Sequence, residues 1–282
     1  MPALPSPTVL DRFAVPDDVE RLDGGQGGSV RAGDLALSPD RDPGLQAWLS
    51  PVQARLAYEI DVAPGRRPLR LAMPVPARDG EWVVEGWAAT RFEPGVVACH
   101  DLDVLLATGR LLHAHLASAV RERPPLPSSS RWDRAEAFAF GDPAGLAAAV
   151  SAARPGASAS FLASVAAIGE LLEPVDAGRL GPDQLVHRDL ASNVLRDPRG
   201  VALVIDLSPA WRPVLWAEAI CVLDCVLWHG APDSALEAWR TGRARQAMLR
   251  ALLFRMLSDE PLREAPYRGL LGLLGGSVGR DG

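Results

Sequence analysis

The stretch His187-Arg188-Asp189-Leu190-Ala191-Ser192-Asn193-Val194-Leu195, followed by Val201-Ala202-Leu203-Val204-Ile205 running into Asp206, decides how the rest of the chain is read. A tight loop carrying one Asp and one Asn precedes a run of consecutive apolar residues, the pattern of a short buried strand, which ends on a second Asp. Phosphoryl transfer is mostly positioning and charge neutralisation, so a protein that performs it must bring oxygen ligands to Mg²⁺ and a carboxylate to the acceptor hydroxyl. In this pattern Asp189 is the candidate to orient or deprotonate an acceptor. Asn193 and Asp206 are the candidates to hold Mg²⁺ against the phosphates, because that hard cation takes oxygen ligands. Each residue alone suits a helix cap or a turn, and the combination is what points to ATP chemistry.

The same stretch resembles the catalytic loop of the aminoglycoside phosphotransferase superfamily, whose usual form is His-Gly-Asp, then Asn, then Ile-Asp-Trp or Ile-Asp-Phe. The wider chain resembles an actinobacterial branch of it through Gly24-Gly25-Gln26-Gly27, Trp82-Val83-Val84-Glu85-Gly86-Trp87, Gly109-Arg110-Leu111-Leu112-His113 and the run from Ile205 to Pro213. The resemblance implies a bilobal α+β protein-kinase-like fold. Residues 1–95 would form an antiparallel-sheet lobe with one helix and a hinge, and residues 96–282 a larger helical lobe holding the catalytic loop and acceptor site. It further implies ATP and Mg²⁺ as cofactors, a small-molecule acceptor, and Asp189 with the adjoining Arg188 as candidate catalytic residues. Gly24, Gly25, Gln26, Gly27, Gly28 and Ser29 would place backbone N–H groups over the phosphates, since glycine permits close approach. Arg91, Phe92 and Glu93, in the hinge, would lie beside the adenine.

Three departures bear on the chemistry. The chain contains no lysine, so all 29 of its basic residues other than histidine are Arg. A kinase places a Lys on its third strand, paired with a Glu on the next helix. Here the third strand is Leu35-Ala36-Leu37, the Lys position falls near Ser38, and Leu45 or Gln46 stands where the Glu is expected. Arg31 or Arg41 could reach the phosphates, although a planar guanidinium is not equivalent to an ammonium. The loop also reads His-Arg-Asp rather than His-Gly-Asp, and Asn193 follows Asp189 by four positions rather than five. The alternatives are therefore a degenerate kinase that binds nucleotide or a partner without transfer, and a cleft used for ATP-independent chemistry.

Composition, at 48% hydrophobic and 23% charged over 282 residues, is that of an ordinary globular protein. A net charge of −6 without basic runs argues against nucleic acid as a partner. No long uncharged apolar stretch suggests a membrane span, and the start Met1-Pro2-Ala3-Leu4-Pro5 lacks signal-peptide character, which makes a cytoplasmic location the expectation. Nothing in the sequence selects an acceptor or an oligomeric state. Cys221, Cys225 and His229 climb one helix face in steps of four, a spread too long to close around one ion, so packing by small thiols is the expected role.

Along the chain, Leu69 to Val75 and Glu81 to Ala88 are expected to pair across Asp79-Gly80. A helix is expected over Asp103 to Val120, a loop over Pro124 to Ser130, and helices over Pro143 to Ala153 and Ser158 to Leu172. After Asp206, Trp211-Arg212-Pro213 is expected to lead into an apolar helix ending at Trp228, with further helices over Ala235 to Trp239, Arg245 to Leu257 and Tyr267 to Leu274. Asp224 and Glu218 on the apolar helix are expected to meet a substrate or to pair with Arg. Arg212 is expected to orient Asp206, touch a phosphate, or make a packing contact.

Overall fold

The computed structural model describes residues 4–22, 28–65, 69–125, 130–174 and 179–275. In chain order these form α1 (Pro7–Arg12), β1 (Val19–Arg21), β2 (Val30–Ala32), β3 (Leu35–Ser38), α2 (Pro43–Val62), β4 (Leu69–Leu71), β5 (Pro74–Val75), β6 (Ala88–Arg91), β7 (Val97–Ala98), α3 (Leu102–Ala119), α4 (Arg131–Ala139), α5 (Leu146–Ala153), α6 (Ala159–Leu171), β8 (Asp183–His187), β9 (Val194–Arg196), β10 (Ala202–Val204), β11 (Pro209–Pro213), α7 (Val214–Trp228), α8 (Gly242–Ser258) and α9 (Arg268–Gly275). The chain divides into two compact units, one of Met1–Leu126 with Asp189–Ser208, the other of Pro127–Arg188 with Pro209–Gly282.

The first unit carries an antiparallel sheet in the order β1-β2-β3-β6-β5. Val30, Ala32, Leu37 and Ala89 point from its strands into one apolar cluster, closed by Val9, Leu10 and Phe13 of α1. The Ser6 hydroxyl caps α1 by accepting from the Val9 N–H, and Pro7 at the first helical position fixes the entry angle. α2 begins the same way: the Asp42 carboxylate accepts from the Leu45 N–H at 2.6 Å, with Pro43 next. It continues through Pro51 to Val62. Its inner face buries Leu49, Leu56 and Ile60, and Gln53 donates to the Ala72 carbonyl.

The expected pairing across Asp79-Gly80 is only partly realised. β5 does pair with β6, but Leu69–Leu71 leaves to pair in parallel with β10, and regular structure in the second run starts only at Ala88. Glu85 and Gly86 take positive φ values of 49° and 80°, which breaks an extended conformation over Glu81 to Trp87. β4 belongs instead to a second sheet, β4-β10-β9-β7. Against the loop that precedes β9, α3 brings Gly109 so close that a Cβ there would lie 2.7 Å from Leu190 Cδ2.

The second unit is helical, apart from the antiparallel pair β8 and β11. Trp216 of α7 lies edge-on to Phe140 and to Phe254, each with ring centroids 5.2 Å apart. α8 is buried along most of its length between its neighbours, which explains why its sequence shows little amphipathic pattern. Within this core Arg255 forks onto Asp224, Nε donating to Oδ1 at 2.8 Å and Nη2 to Oδ2. Asp224 is thereby engaged as a partner of Arg in the core. Cys221 and Cys225 are buried packing residues, and His229 ends α7. Trp211-Arg212-Pro213, expected as a lead into the helix, forms the end of strand β11. Segment 235–239 is a 3-10 turn within Asp233–Trp239.

Candidate functional site

The residues around Asp189, Asn193 and Asp206 are organised by the β9–β10 hairpin. Val194 pairs with Val204, and the register continues as the Ile205 N–H donates to the Asn193 carbonyl at 2.9 Å. The hairpin turn is locked by the Asp197 carboxylate, which accepts from the N–H groups of Arg199 and Val201, and by Gly200 at φ 80°. Asn193 and the residue before Asp206 are therefore fixed opposite each other at the same end of the hairpin.

Asn193 is 4% exposed. Its Nδ2 donates to the Asp189 carbonyl at 2.6 Å and to Asp189 Oδ2 at 3.3 Å. That bond turns the oxygen end of the amide, the end a metal would use, away from Asp189. Asp206 adopts φ 47°, a left-handed conformation that costs a non-glycine residue about 1 kcal/mol or more and that concentrates at functional sites. Its side chain is 41% exposed, open to an incoming cation. Among the described residues no group of three or more His, Cys, Asp or Glu could hold a metal. A carboxylate and an amide oxygen, completed by water and phosphate oxygens, are nevertheless a donor set that Mg²⁺ accepts, so the residues present fit that ion.

Arg41 Nη1 donates to Asp206 Oδ1 at 2.5 Å. Burial alone would lower its pKa, but the charge and hydrogen bond of Asp206, with Asp40 nearby, reverse that and hold the guanidinium above its ordinary value. The positions where a kinase would carry its Lys and Glu are satisfied locally: Ser38 shares a hydroxyl hydrogen bond with Ser29 at 3.0 Å, and Gln46 accepts from Ser50 at 2.7 Å. Arg31 donates to the Gly33 carbonyl and covers the Phe92 ring at 4.4 Å.

In the segment expected as the hinge, the N–H of Arg91 donates to the Met73 carbonyl and that of Phe92 to the Asp34 carbonyl, both at 2.8 Å. Glu93 is gripped in a fork by Arg70, at 2.7 and 3.0 Å, a bond that raises the Arg70 pKa. The main-chain donors of Arg91 and Phe92 are thus spent inside the sheet, and a nucleobase at this segment would be read by other main-chain groups. Of the glycine-rich loop, Gly24, Gly25, Gln26 and Gly27 lie outside the described residues; Gly28 and Ser29 follow directly before β2.

Arg188 lies in the second unit. Its Nη2 donates to Asp133 Oδ1 and its Nη1 to Glu136 Oε2, both at 2.8 Å, with all three side chains largely buried. Arg212 also meets Glu136, at 2.8 Å, and lies 4.3 Å over the Phe140 ring. Both carboxylates come from α4, an element the apolar periodicity missed. Ser130-Arg131-Trp132-Asp133 carries the signal that would have revealed it, a capping box in which Ser130 and Asp133 cap each other's backbone N–H groups.

This is a kinase-like α+β fold, with an antiparallel-sheet unit and a helical unit. No protein-family model matches the sequence, and no curated protein matches it. Among solved structures, the chain is similar to the choline kinase LicA from Streptococcus pneumoniae at 12% identity and TM-score 0.52, covering 95% of this chain and 96% of that one. It is similar to the gentamicin–APH(2")-IIa complex at 12% identity and TM-score 0.52, covering 97% of each chain. At such identity the likeness is one of fold. Among the described residues no helix is long and apolar enough to cross a membrane.

Proposed function

We propose that this protein transfers a phosphoryl group from Mg·ATP to a hydroxyl of a small molecule in the cytoplasm. The observation that carries the reading is the hydrogen-bonded Asp189–Asn193 pair, set at the end of a hairpin whose other strand delivers Asp206 in a left-handed conformation. In this reading the Asp189 carboxylate accepts the acceptor's hydroxyl proton, while that oxygen bonds to the γ-phosphorus and the bond to ADP breaks. Asn193 and Asp206 would hold Mg²⁺, which neutralises charge on the phosphate oxygens. Asn193 also orients Asp189 through its amide. Arg188 is a positioning residue: clamped by Asp133 and Glu136, it fixes the backbone immediately before Asp189. The similar choline kinase and gentamicin complex support the choice of a small-molecule acceptor by fold analogy alone.

A second reading, a degenerate kinase that binds without transfer, is favoured by one observation, the uncharged Ser38 and Gln46 at the positions of the usual ion pair. Calorimetry of Mg·ATP with the wild type and Asp206→Ala separates the possibilities. Metal-dependent binding that is lost in the variant is expected, followed by ADP release in a screen of hydroxyl acceptors that begins with choline and gentamicin. Binding without turnover across a broad screen would favour the second reading. No binding at millimolar nucleotide would sink the ATP reading altogether.

A further inference from the structure

A chain without lysine must neutralise bound phosphates with arginine or leave the charge to the metal. Two arginines follow the glycine-rich segment closely in sequence, and the structure separates them. Arg31 is committed: its Nε donates to Gly33, its plane covers Phe92, and Nη1 faces Glu20 at 3.9 Å. Arg41 instead reaches Asp206, the candidate metal ligand, and keeps 23% of its side chain exposed.

The backbone that carries Arg41 is unusually fixed. It sits in Ser38-Pro39-Asp40-Arg41-Asp42-Pro43, where two prolines restrict φ, Asp40 is held at φ 58°, and Asp42 caps α2. The Arg41 N–H donates at 2.9 Å to the carbonyl of Gly86, which lies in the other left-handed turn, Glu85-Gly86. Two strained turns therefore meet at this one residue. Strain of that kind persists only where the surrounding structure holds it, and it clusters at functional sites.

We infer that Arg41 is the phosphate-binding cation of this protein, replacing the absent strand lysine from the turn between β3 and α2 and handing part of its hydrogen bonding from Asp206 to the nucleotide phosphates. The inference rests on the phosphotransferase reading above. A guanidinium can make this exchange because its five N–H donors form a planar fork, so one edge keeps a carboxylate while another meets phosphate oxygens. An ammonium is a point charge with three rotatable donors and lacks that fixed second edge. In the absence of nucleotide, the same contact places a positive charge against Asp206 and opposes binding of a divalent cation alone.

The test is binding by the full chain, with turnover not required. Titrations of Mg·ATP, of adenosine and of Mn²⁺ alone are compared across wild type, Arg41→Ala, Arg41→Lys and Arg31→Ala. For Arg41→Ala we expect ATP affinity to fall by at least about tenfold, the scale of one hydrogen bond to a charged group, with adenosine affinity unchanged and Mn²⁺ alone bound more tightly. Arg41→Lys, which keeps the charge without the fork, should lie between wild type and Arg41→Ala and decides the matter if the alanine variant misfolds. Unchanged ATP affinity in both Arg41 variants, or a larger loss in Arg31→Ala, overturns the inference and leaves the phosphotransferase reading standing. A wild type that binds Mn²⁺ but no nucleotide overturns both.

Discussion

Replacing Arg188 with methionine tests whether this residue, adjoining Asp189, is a clamp or a participant in chemistry. The guanidinium holds Asp133 and Glu136 at 2.8 Å each, with the three side chains between 9% and 13% exposed. Removing one partner of such a buried network costs roughly 3–5 kcal/mol, because charges remain that have lost their compensation. Glu136 would retain Arg212, and Asp133 would retain the Ser130 N–H and hydroxyl. The expected loss therefore lies at the low end, about 3 kcal/mol. For an unfolding slope near 2 kcal/mol per molar urea, that corresponds to a drop in the midpoint of about 1.5 M, read by tryptophan emission. Adding Asp133→Asn to Arg188→Met should recover part of the loss by removing the stranded charge. A loss under about 1 kcal/mol would refute the clamp, since it would mean that water solvates these carboxylates in the folded protein.

Breaking the core pair with Arg255→Met should cost about 3–5 kcal/mol, whereas Arg255→Met combined with Asp224→Leu should restore most of it; thermal denaturation of the pair against the single variant decides. Ser130→Ala removes the α4 capping box and should destabilise by about 1 kcal/mol in denaturant titration, with no change if α4 is held by packing alone. The Glu264 carboxyl is held below its ordinary pKa by hydrogen bonds from Ser160 and Ser164 and by Arg268. The unfolded chain then binds the proton more readily, so this contribution is present above the ordinary glutamate value, about 4.3, and fades as pH falls through the lower folded value. Stability measured from pH 6 to 3 should therefore fall less steeply in Glu264→Gln, and parallel curves would show that the carboxyl contributes nothing.

The arrangement of Asn193 and Asp206 was legible because its information is contiguous: loop, strand and terminal Asp lie within about twenty residues, and a hairpin has few ways to arrange them. Arg41 was visible only as one of two candidates, since its partner lies 165 positions away and no local pattern links them. The capping box at Ser130 was present, but α4 is short and its apolar spacing weak, so no helix was expected between Ser130 and Pro143. β11 was hidden because proline brackets it at Pro209 and Pro213, which argues against a strand except in a two-stranded pair such as this one. From Glu81 to Ala88 the tryptophans and valines favour strand, and the left-handed turn at Glu85-Gly86 overrides that local preference.

The register of β8 with β11 sets His187 opposite Pro209, so the chain leaves the helical unit and re-enters it at one point. Everything between those two residues, including Asp189, Asn193 and Asp206, is a closed excursion whose ends are tied together. The sheet β4-β10-β9-β7 takes its two middle strands from that excursion. A fragment ending near residue 126 would keep β4 and β7 with nothing between them, and the complementary fragment would carry the hairpin away from its sheet. A cut near residue 126 therefore yields two contiguous pieces that each lack half of this sheet.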